Sequence, residues 1–196
     1  MPTQIDDYEL TWYMHEIGMH SLGAQREYDQ LVSTLQDDRS RQTRLAWFHL
    51  TSFLSHAAMI SKYLSPISKG EVAGLRKQAL RDRLGVDATS EVLPRDTRDN
   101  VEHFDERLDN WVGGNNQQIL EIVLPNRASY SYLRVAEKRV KRVLILDEMA
   151  FVSEKKDETK FQLYLVPLRD EVARIGAAAE SWVSASSPYH FIYPNQ

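Results

Sequence analysis

The sequence predicts an α+β fold that is predominantly α: an antiparallel helical bundle, a small β-hairpin or sheet, and a C-terminal amphipathic helix. Two observations favour this class. Apolar residues recur at helical spacing before the turn signal Gly113-Gly114-Asn115-Asn116, and β-branched and aromatic runs follow it. We therefore expect a helical bundle over residues 1–112. A β-hairpin with the last helix and the tail should occupy residues 113–196, packed on the bundle as one domain.

Composition excludes several classes of protein. Of the 196 residues, 42% are hydrophobic, which is too many for wholesale disorder. No run reaches the roughly 18 uncharged apolar residues that a membrane span needs. Acidic residues occupy the start of the chain, where a secretory signal would be basic. The absence of cysteine excludes disulfides, thiolate zinc sites and cysteine nucleophiles, and it favours a location in the reducing cytoplasm. Because no apolar run is long enough, we expect no membrane contact.

Four helices are predicted in the first half, over residues 6–36, 41–64, 69–84 and 95–112. The first is either unbroken or interrupted near Gly18 to Gly23. The second is apolar on most of its circumference and should be the central, most buried helix. The third stops at Gly85, and the fourth follows a loop that contains Pro94.

Strands are predicted in the second half, over residues 143–146, 150–152 and 161–166. The charged run between the last two would be a hairpin connection, and residues 119–124 are either a further strand or a helix end. Pro167 suits the N1 position of the last helix. Its apolar stripe consists of Leu168, Val172, Ile175, Ala179 and Trp182. The tail is expected to dock on a surface because it is aromatic, with Tyr189, Phe191 and Tyr193.

Most catalytic motifs are absent from the sequence. It contains no GxxxxGK[ST] phosphate loop, no GxGxxG and no GxSxG elbow. His15 and His20 are five residues apart, about 140° round a helix, so they do not share the face that a zinc HExxH site requires. His49 and His56 are seven residues apart and do share a face, but on so apolar a helix we expect core histidines.

A pattern of metal-dependent nucleases is only weakly matched. Asp147 precedes Glu154-Lys155-Lys156 on what is predicted to be one strand, which makes the geometry of a shared metal site doubtful. We therefore predict neither a metal site nor a cofactor.

The predicted fourth helix carries the residues with the best catalytic geometry. Its apolar stripe should face the bundle core and consists of Val101, Phe104, Leu108 and Trp111. Arg98 and His103 lie about 100° and about 120° from the centre of that stripe, on opposite sides. Asp99 lies one turn before His103 on the same face. These side chains therefore border a polar face that looks at solvent or at a second subunit.

Arg98-x4-His103, with a polar residue directly after the arginine, resembles the Rx4–6H motif of the HEPN (higher eukaryotes and prokaryotes nucleotide-binding) families. The run from Glu102 to Leu108 is also similar to a stretch of uncharacterised bacterial proteins. The resemblance implies a HEPN-like helical bundle that forms a homodimer, with Arg98 and His103 in a composite site at the bundle interface. It further implies a metal-independent endoribonuclease, a hydrolase of toxin–antitoxin, phage-defence or RNA-processing systems, with an antitoxin or other protein as partner.

These residue types suit RNA cleavage without a metal ion. The imidazole of His103 titrates in the range needed for a base acting on the 2′-hydroxyl. The guanidinium of Arg98 suits the negative charge that develops on the phosphorane. Asp99 is placed to fix the imidazole tautomer. Because the 2′-hydroxyl is the nucleophile, the expected substrate is RNA and not DNA.

A plainer interpretation of the same residues stays open. With six histidines in the chain, a match to this short pattern is expected about once by chance, and Arg44-x4-His49 is a second match on a more apolar helix. Arg98 would then form a salt bridge with Glu102, four residues later. The protein would be a non-catalytic helical module that binds a protein or nucleotide partner.

A basic stretch between Asn126 and Val143 indicates an RNA-binding surface. Glu137 is its single acidic residue, and Tyr130 and Tyr132 are interleaved with the cations, as in surfaces that hold phosphates and stack bases. The candidate RNA-binding residues are Arg134, Lys138, Arg139, Lys141 and Arg142. The alternative is a solvated strand edge, where lysine and arginine discourage pairing with other chains.

Overall fold

Helices dominate the fold, and a small sheet lies between them in the sequence. The computed structural model describes residues 5–37, 39, 44–68, 70–94, 99, 104–112, 119–134, 136, 139–155, 157 and 159–187. Within them, the helices are α1 (Asp7–Gln36), α2 (Arg44–Leu64), α3 (Glu71–Leu84), α4 (Phe104–Val112) and α5 (Leu165–Ser186). The strands are β1 (Ile119–Leu124), β2 (Val140–Ile145), β3 (Ala150–Glu154) and β4 (Lys160–Tyr164), with a 3₁₀ helix at Arg127–Tyr132. The predicted α+β class, predominantly α, is confirmed. None of these helices has the length and hydropathy that crossing a membrane requires.

The first helix begins at a capping box and runs without a break. The Asp6 carboxylate accepts a hydrogen bond from the Glu9 backbone N–H at 2.8 Å, and the Glu9 carboxylate accepts one from the Asp6 N–H at 3.3 Å. Gly18 and Gly23 both lie inside α1, so the interruption left open by the sequence does not occur. The third helix ends as predicted: Gly85 has a φ of 60°, in the left-handed region that glycine favours.

The bundle is organised around α1, which packs along both α2 and α5. The prediction that α2 is the most buried helix is confirmed, because 11 of its 21 residues are buried against 11 of the 30 in α1. The prediction that α2 is central was wrong, since α1 takes that place. Although α2 is the more apolar helix, Leu45 and Phe48 on its outer side are exposed. The close approach of α1 and α5 depends on Gly176, because a Cβ there would overlap the Ser21 side chain. The Ser21 hydroxyl donates to the Val172 carbonyl at 2.9 Å and ties the two helices together.

The sheet is mixed and has the strand order β1-β2-β3-β4. Residues 119–124 form a strand that pairs in parallel with β2, whereas β2 with β3 and β3 with β4 are antiparallel. One face packs on the helices through Leu144, Phe151 and Leu163, which belong to the same core as α1, α2 and α5. The opposite face, which we call the outer sheet face, has an apolar cluster of its own that includes Val143 and Val152.

The last helix begins two residues earlier than predicted. The Leu165 N–H donates to the Met149 carbonyl at 2.9 Å, so α5 starts directly from the end of β4 and Pro167 is its third residue. The predicted stripe is confirmed, because Leu168, Val172, Ile175 and Ala179 are buried. Trp182 is partly buried against the same core. The core is therefore continuous from the helices to the inner face of the sheet.

Candidate functional site

The two principal predicted catalytic residues, Arg98 and His103, lie outside the described residues. Asp99 is described and is partly buried. The structure does describe the helix that follows the motif directly, which is α4.

Helix α4 is attached to the outer sheet face through its last turn. Trp111 is buried, and its indole Nε1 donates to Glu154 Oε1 at 3.0 Å. We expected the stripe that ends in Trp111 to face the bundle core, and this was wrong for Trp111. The indole hydrogen bond needs a buried acceptor, and the acceptor is supplied by β3.

Glu154 is the centre of a buried charge cluster beneath α4. Its carboxylate accepts from Lys141 Nζ at 2.9 Å and 3.1 Å, and from Lys160 Nζ at 3.2 Å. The Lys141 ammonium also lies 5.8 Å from the centre of the Trp111 ring. Burial alone raises the pKa of Glu154, but the hydrogen bonds from Lys141 and Lys160 outweigh burial and hold that pKa below its ordinary value. The carboxylate is therefore ionised and structural at neutral pH.

The structure also places the two acidic residues of the weakly matched nuclease pattern, Asp147 and Glu154. Asp147 lies in the turn before β3, and Glu154 is the last residue of that strand, so the two acidic residues are at opposite ends. Among the described residues, no three histidine or acidic side chains are grouped so that they could hold a metal ion.

The neighbouring cation, Arg142, is buried on the other face of β2. Its guanidinium forms an ion pair with Glu121 of β1 and lies 5.3 Å from the centre of the Trp47 ring. Burial lowers the pKa of Arg142 to about 10, so it stays charged at neutral pH. Because β2 is an inner strand, the strand-edge alternative does not apply to it. Lys141 and Arg142 are both held in ion pairs within the chain, and this removes them from the predicted RNA-binding surface.

Two other predicted RNA-binding cations of the basic stretch are exposed. Arg134 and Arg139 are both exposed, as is Tyr132, and Lys138 lies outside the described residues. We call Tyr132, Arg134 and Arg139 the basic connection, since they lie between β1 and β2. Tyr130 and Leu133, in the same segment, pack on the outer sheet face. The basic connection and α4 therefore lie on one side of the sheet.

A second polar site, which we call the histidine seam, follows the contact between α1 and α2. It consists of Glu16, His20, Glu27, His49, His56 and Tyr63. His49 Nδ1 lies 2.7 Å from Glu27 Oε2, which confirms it as a buried histidine with a partner. His20 and His56 face each other with their Nδ1 atoms 3.0 Å apart. The seven-residue spacing of His49, His56 and Tyr63 is the sequence signal for this seam, although it does not reveal the partners on α1.

The contact between His20 and His56 requires that at least one of the two imidazoles is neutral. Of two facing Nδ1 atoms, one donates and the other must accept, so both rings cannot be protonated while the contact lasts. Burial lowers the pKa of His20, and the neighbouring His56 lowers it further, against the opposing effect of Glu16. Gly23 leaves the space for the His56 ring, because a Cβ there would lie 2.5 Å from the imidazole.

Comparison of the chain with protein-family models, with curated proteins and with solved structures gave no match. The choice between the two polar sites therefore depends on the chain itself. The histidine seam pairs its members with one another along the contact of two helices. The basic connection has exposed cations and an exposed aromatic ring, on the same side of the sheet as the helix that follows Arg98 and His103.

Proposed function

We propose that this protein is a HEPN-like endoribonuclease that cleaves RNA without a metal ion, with Arg98 and His103 as its catalytic residues. The observation that carries the proposal is the shared position of α4 and the basic connection on the outer sheet face. A helix joined to the motif and a surface suited to phosphates and bases then lie on the same side of the sheet, where one RNA strand would contact both. The predominantly helical fold and the Arg98-x4-His103 spacing support the same assignment.

The reaction we propose uses the RNA 2′-hydroxyl as the nucleophile. His103 takes the proton from this hydroxyl, the 2′-oxygen bonds to phosphorus, and the bond to the 5′-oxygen breaks. The protonated imidazole, or water, returns a proton to the leaving 5′-oxygen. Arg98 stabilises the charge on the phosphorane oxygens, and Asp99 holds the imidazole in one tautomer. The products are a 2′,3′-cyclic phosphate and a 5′-hydroxyl.

The proposal includes a homodimer in which two copies of the motif form a composite site. An antitoxin or another protein of a bacterial defence system would be the partner, and the cytoplasm the place of action. Lys138 joins Arg134 and Arg139 in this proposal as a contact to RNA phosphates.

The test is cleavage of single-stranded RNA in excess EDTA. We expect the wild-type protein to leave cyclic-phosphate ends and to spare DNA of the same sequence. His103→Ala and Arg98→Ala should each abolish cleavage. Arg83→Ala is the matched control, since Arg83 pairs with Asp7 near the start of α1, away from the outer sheet face. Equal cleavage by the wild type and His103→Ala would show that the activity is a contaminant.

The second candidate function is a non-catalytic helical module that binds a protein partner. The exposed Leu45 and Phe48 on the outer side of α2 favour it, because large exposed apolar side chains often mark contact sites. This function predicts that Arg98→Ala keeps the full biological effect. It also predicts that replacing Leu45 and Phe48 by aspartate abolishes the effect without unfolding the protein.

A further inference from the structure

Helix α1 has a second apolar stripe on the side opposite the core. Tyr8, Trp12, Met19 and Leu22 are 56%, 56%, 49% and 63% exposed. They lie about 180° round the helix from the buried Leu10, Met14 and Ile17. A solvent-facing helix side is normally polar. We call these four residues the outer stripe and ask what covers it.

The chain leaves α5 beside this stripe. The Ser187 hydroxyl, at the end of α5, lies 3.2 Å from the Thr11 hydroxyl. Thr11 directly precedes Trp12 in the sequence, so Ser187 lies at the turn of α1 that carries Trp12. Pro188 has no backbone N–H to donate and so does not extend the helical hydrogen bonds.

The segment after Ser187 has the composition and length to cover the stripe. Residues 188–193 read Pro-Tyr-His-Phe-Ile-Tyr, with no lysine, arginine or acidic residue. In an extended chain, Tyr189, Phe191 and Tyr193 point to the same side. Six extended residues reach about 20 Å, and Leu22 is about 16 Å along α1 from Thr11. The segment can therefore reach the part of the stripe from Trp12 to Leu22.

The area of the stripe fits a short segment better than a second copy of the chain. Side chains of this size that are half exposed present roughly 400 Å² together. A stable protein–protein interface needs about 800 Å² from each partner. We propose that residues 188–193 bind along the outer stripe of α1, with Tyr189, Phe191 and Tyr193 covering Trp12 and its apolar neighbours. This inference does not depend on the proposed function.

Acrylamide quenching of Trp12 fluorescence tests the proposal. The chain that ends at Ser187 should be quenched more strongly than the full chain. The full-length Y189S/F191S/Y193S variant should behave like the shortened chain. The chain that ends at Tyr193 is the matched control and should behave like the full chain. Because Trp182 lies near the same end of α5, each comparison is repeated with Trp12→Phe, and the difference between the two series gives the signal of Trp12.

The outcomes separate the proposal from its rivals. Stronger quenching of Trp12 in the shortened chain, with both proteins monomeric by sedimentation, supports it. Equal quenching in the full and shortened chains overturns it. A full chain that is dimeric, with Trp12 shielded only as the concentration rises, overturns it in favour of a second copy on the stripe.

Discussion

The buried carboxylate of Glu154 should be one of the most sensitive single positions in the protein. Its side chain is 6% exposed and that of Lys141 is 11% exposed, so water screens their attraction little. Glu154→Gln keeps an oxygen for the Trp111 indole but removes the charge that faces Lys141 and Lys160. Leaving a buried ammonium without its counter-charge costs about 3–5 kcal/mol. Domains of this kind are stable by about 5–15 kcal/mol in total.

Urea unfolding measured by circular dichroism gives the free energy of unfolding for each variant. Glu148→Gln is the matched control, because the Arg127 side chain in that pair is 46% exposed and such pairs contribute about 1 kcal/mol or less. In the double variant Glu154→Gln/Lys141→Met, much of the loss should be recovered, since the unpaired ammonium is gone. A loss from Glu154→Gln as small as that from Glu148→Gln would refute the buried cluster as a source of stability.

The same cluster predicts a pH dependence with a definite sign. The pKa of Glu154 in the folded protein lies below the ordinary value of 4.5. The unfolded chain therefore binds the proton more readily, and the contribution of Glu154 is complete above pH 4.5. It is lost as the pH falls through the lower folded pKa. The difference in unfolding free energy between the wild type and Glu154→Gln should shrink over that range. A constant difference down to about pH 2 would contradict the assignment.

Three further predictions concern the histidine seam and the basic connection. Gly74→Ala in α3 should stabilise the protein by up to about 1 kcal/mol. Gly23→Ala should give no such gain, because the new Cβ would meet the His56 imidazole, whereas the space at Gly74 is open. Equal gains of the two variants in urea unfolding would contradict that packing. Since the pKa of His20 is below 6.5 in the folded protein, stability should decline as the pH falls from 6.5 through that lower value, because the unfolded chain takes up the proton first. His20→Gln should flatten this decline in thermal unfolding, and an unchanged slope would remove His20 as its origin. Arg134→Ala and Arg139→Ala should each weaken RNA binding and reduce its dependence on salt concentration. Each should change the free energy of unfolding by less than about 0.5 kcal/mol. An unchanged affinity for RNA at two salt concentrations would exclude these residues from the RNA surface.

The helices could be predicted closely because their signals are local. The 3.6-residue period and the glycine stop at Gly85 each depend on a few neighbouring residues. The centre of the bundle could not be predicted in the same way. Its hydrophobicity favours α2 as the central helix. In the tertiary structure, however, α1 packs along two long helices, α2 and α5, and it is therefore central.

The basic stretch shows where sequence reasoning about the site stops. Charge counting treats Lys141 and Arg142 like Arg134 and Arg139, since all four are cations within nine positions. Only strand order and register separate them. Because β2 lies between two strands, Arg142 meets Glu121 across the parallel pair, and Lys141 meets Glu154 across the antiparallel pair. Such registers are long-range features that a single sequence does not specify.

The β-rich segment gains a role in the proposed site from this arrangement. A minimal helical bundle does not contain it, which by sequence makes it an unexplained addition. In the structure, β3 supplies the Glu154 carboxylate that fixes Trp111, and the outer sheet face carries Tyr130 and Leu133 beneath the basic connection. The sheet therefore positions both the helix that follows Arg98 and His103 and the cations proposed to contact RNA. We therefore propose that the β-rich segment belongs to the active site, as the surface that holds Trp111 and carries the basic connection.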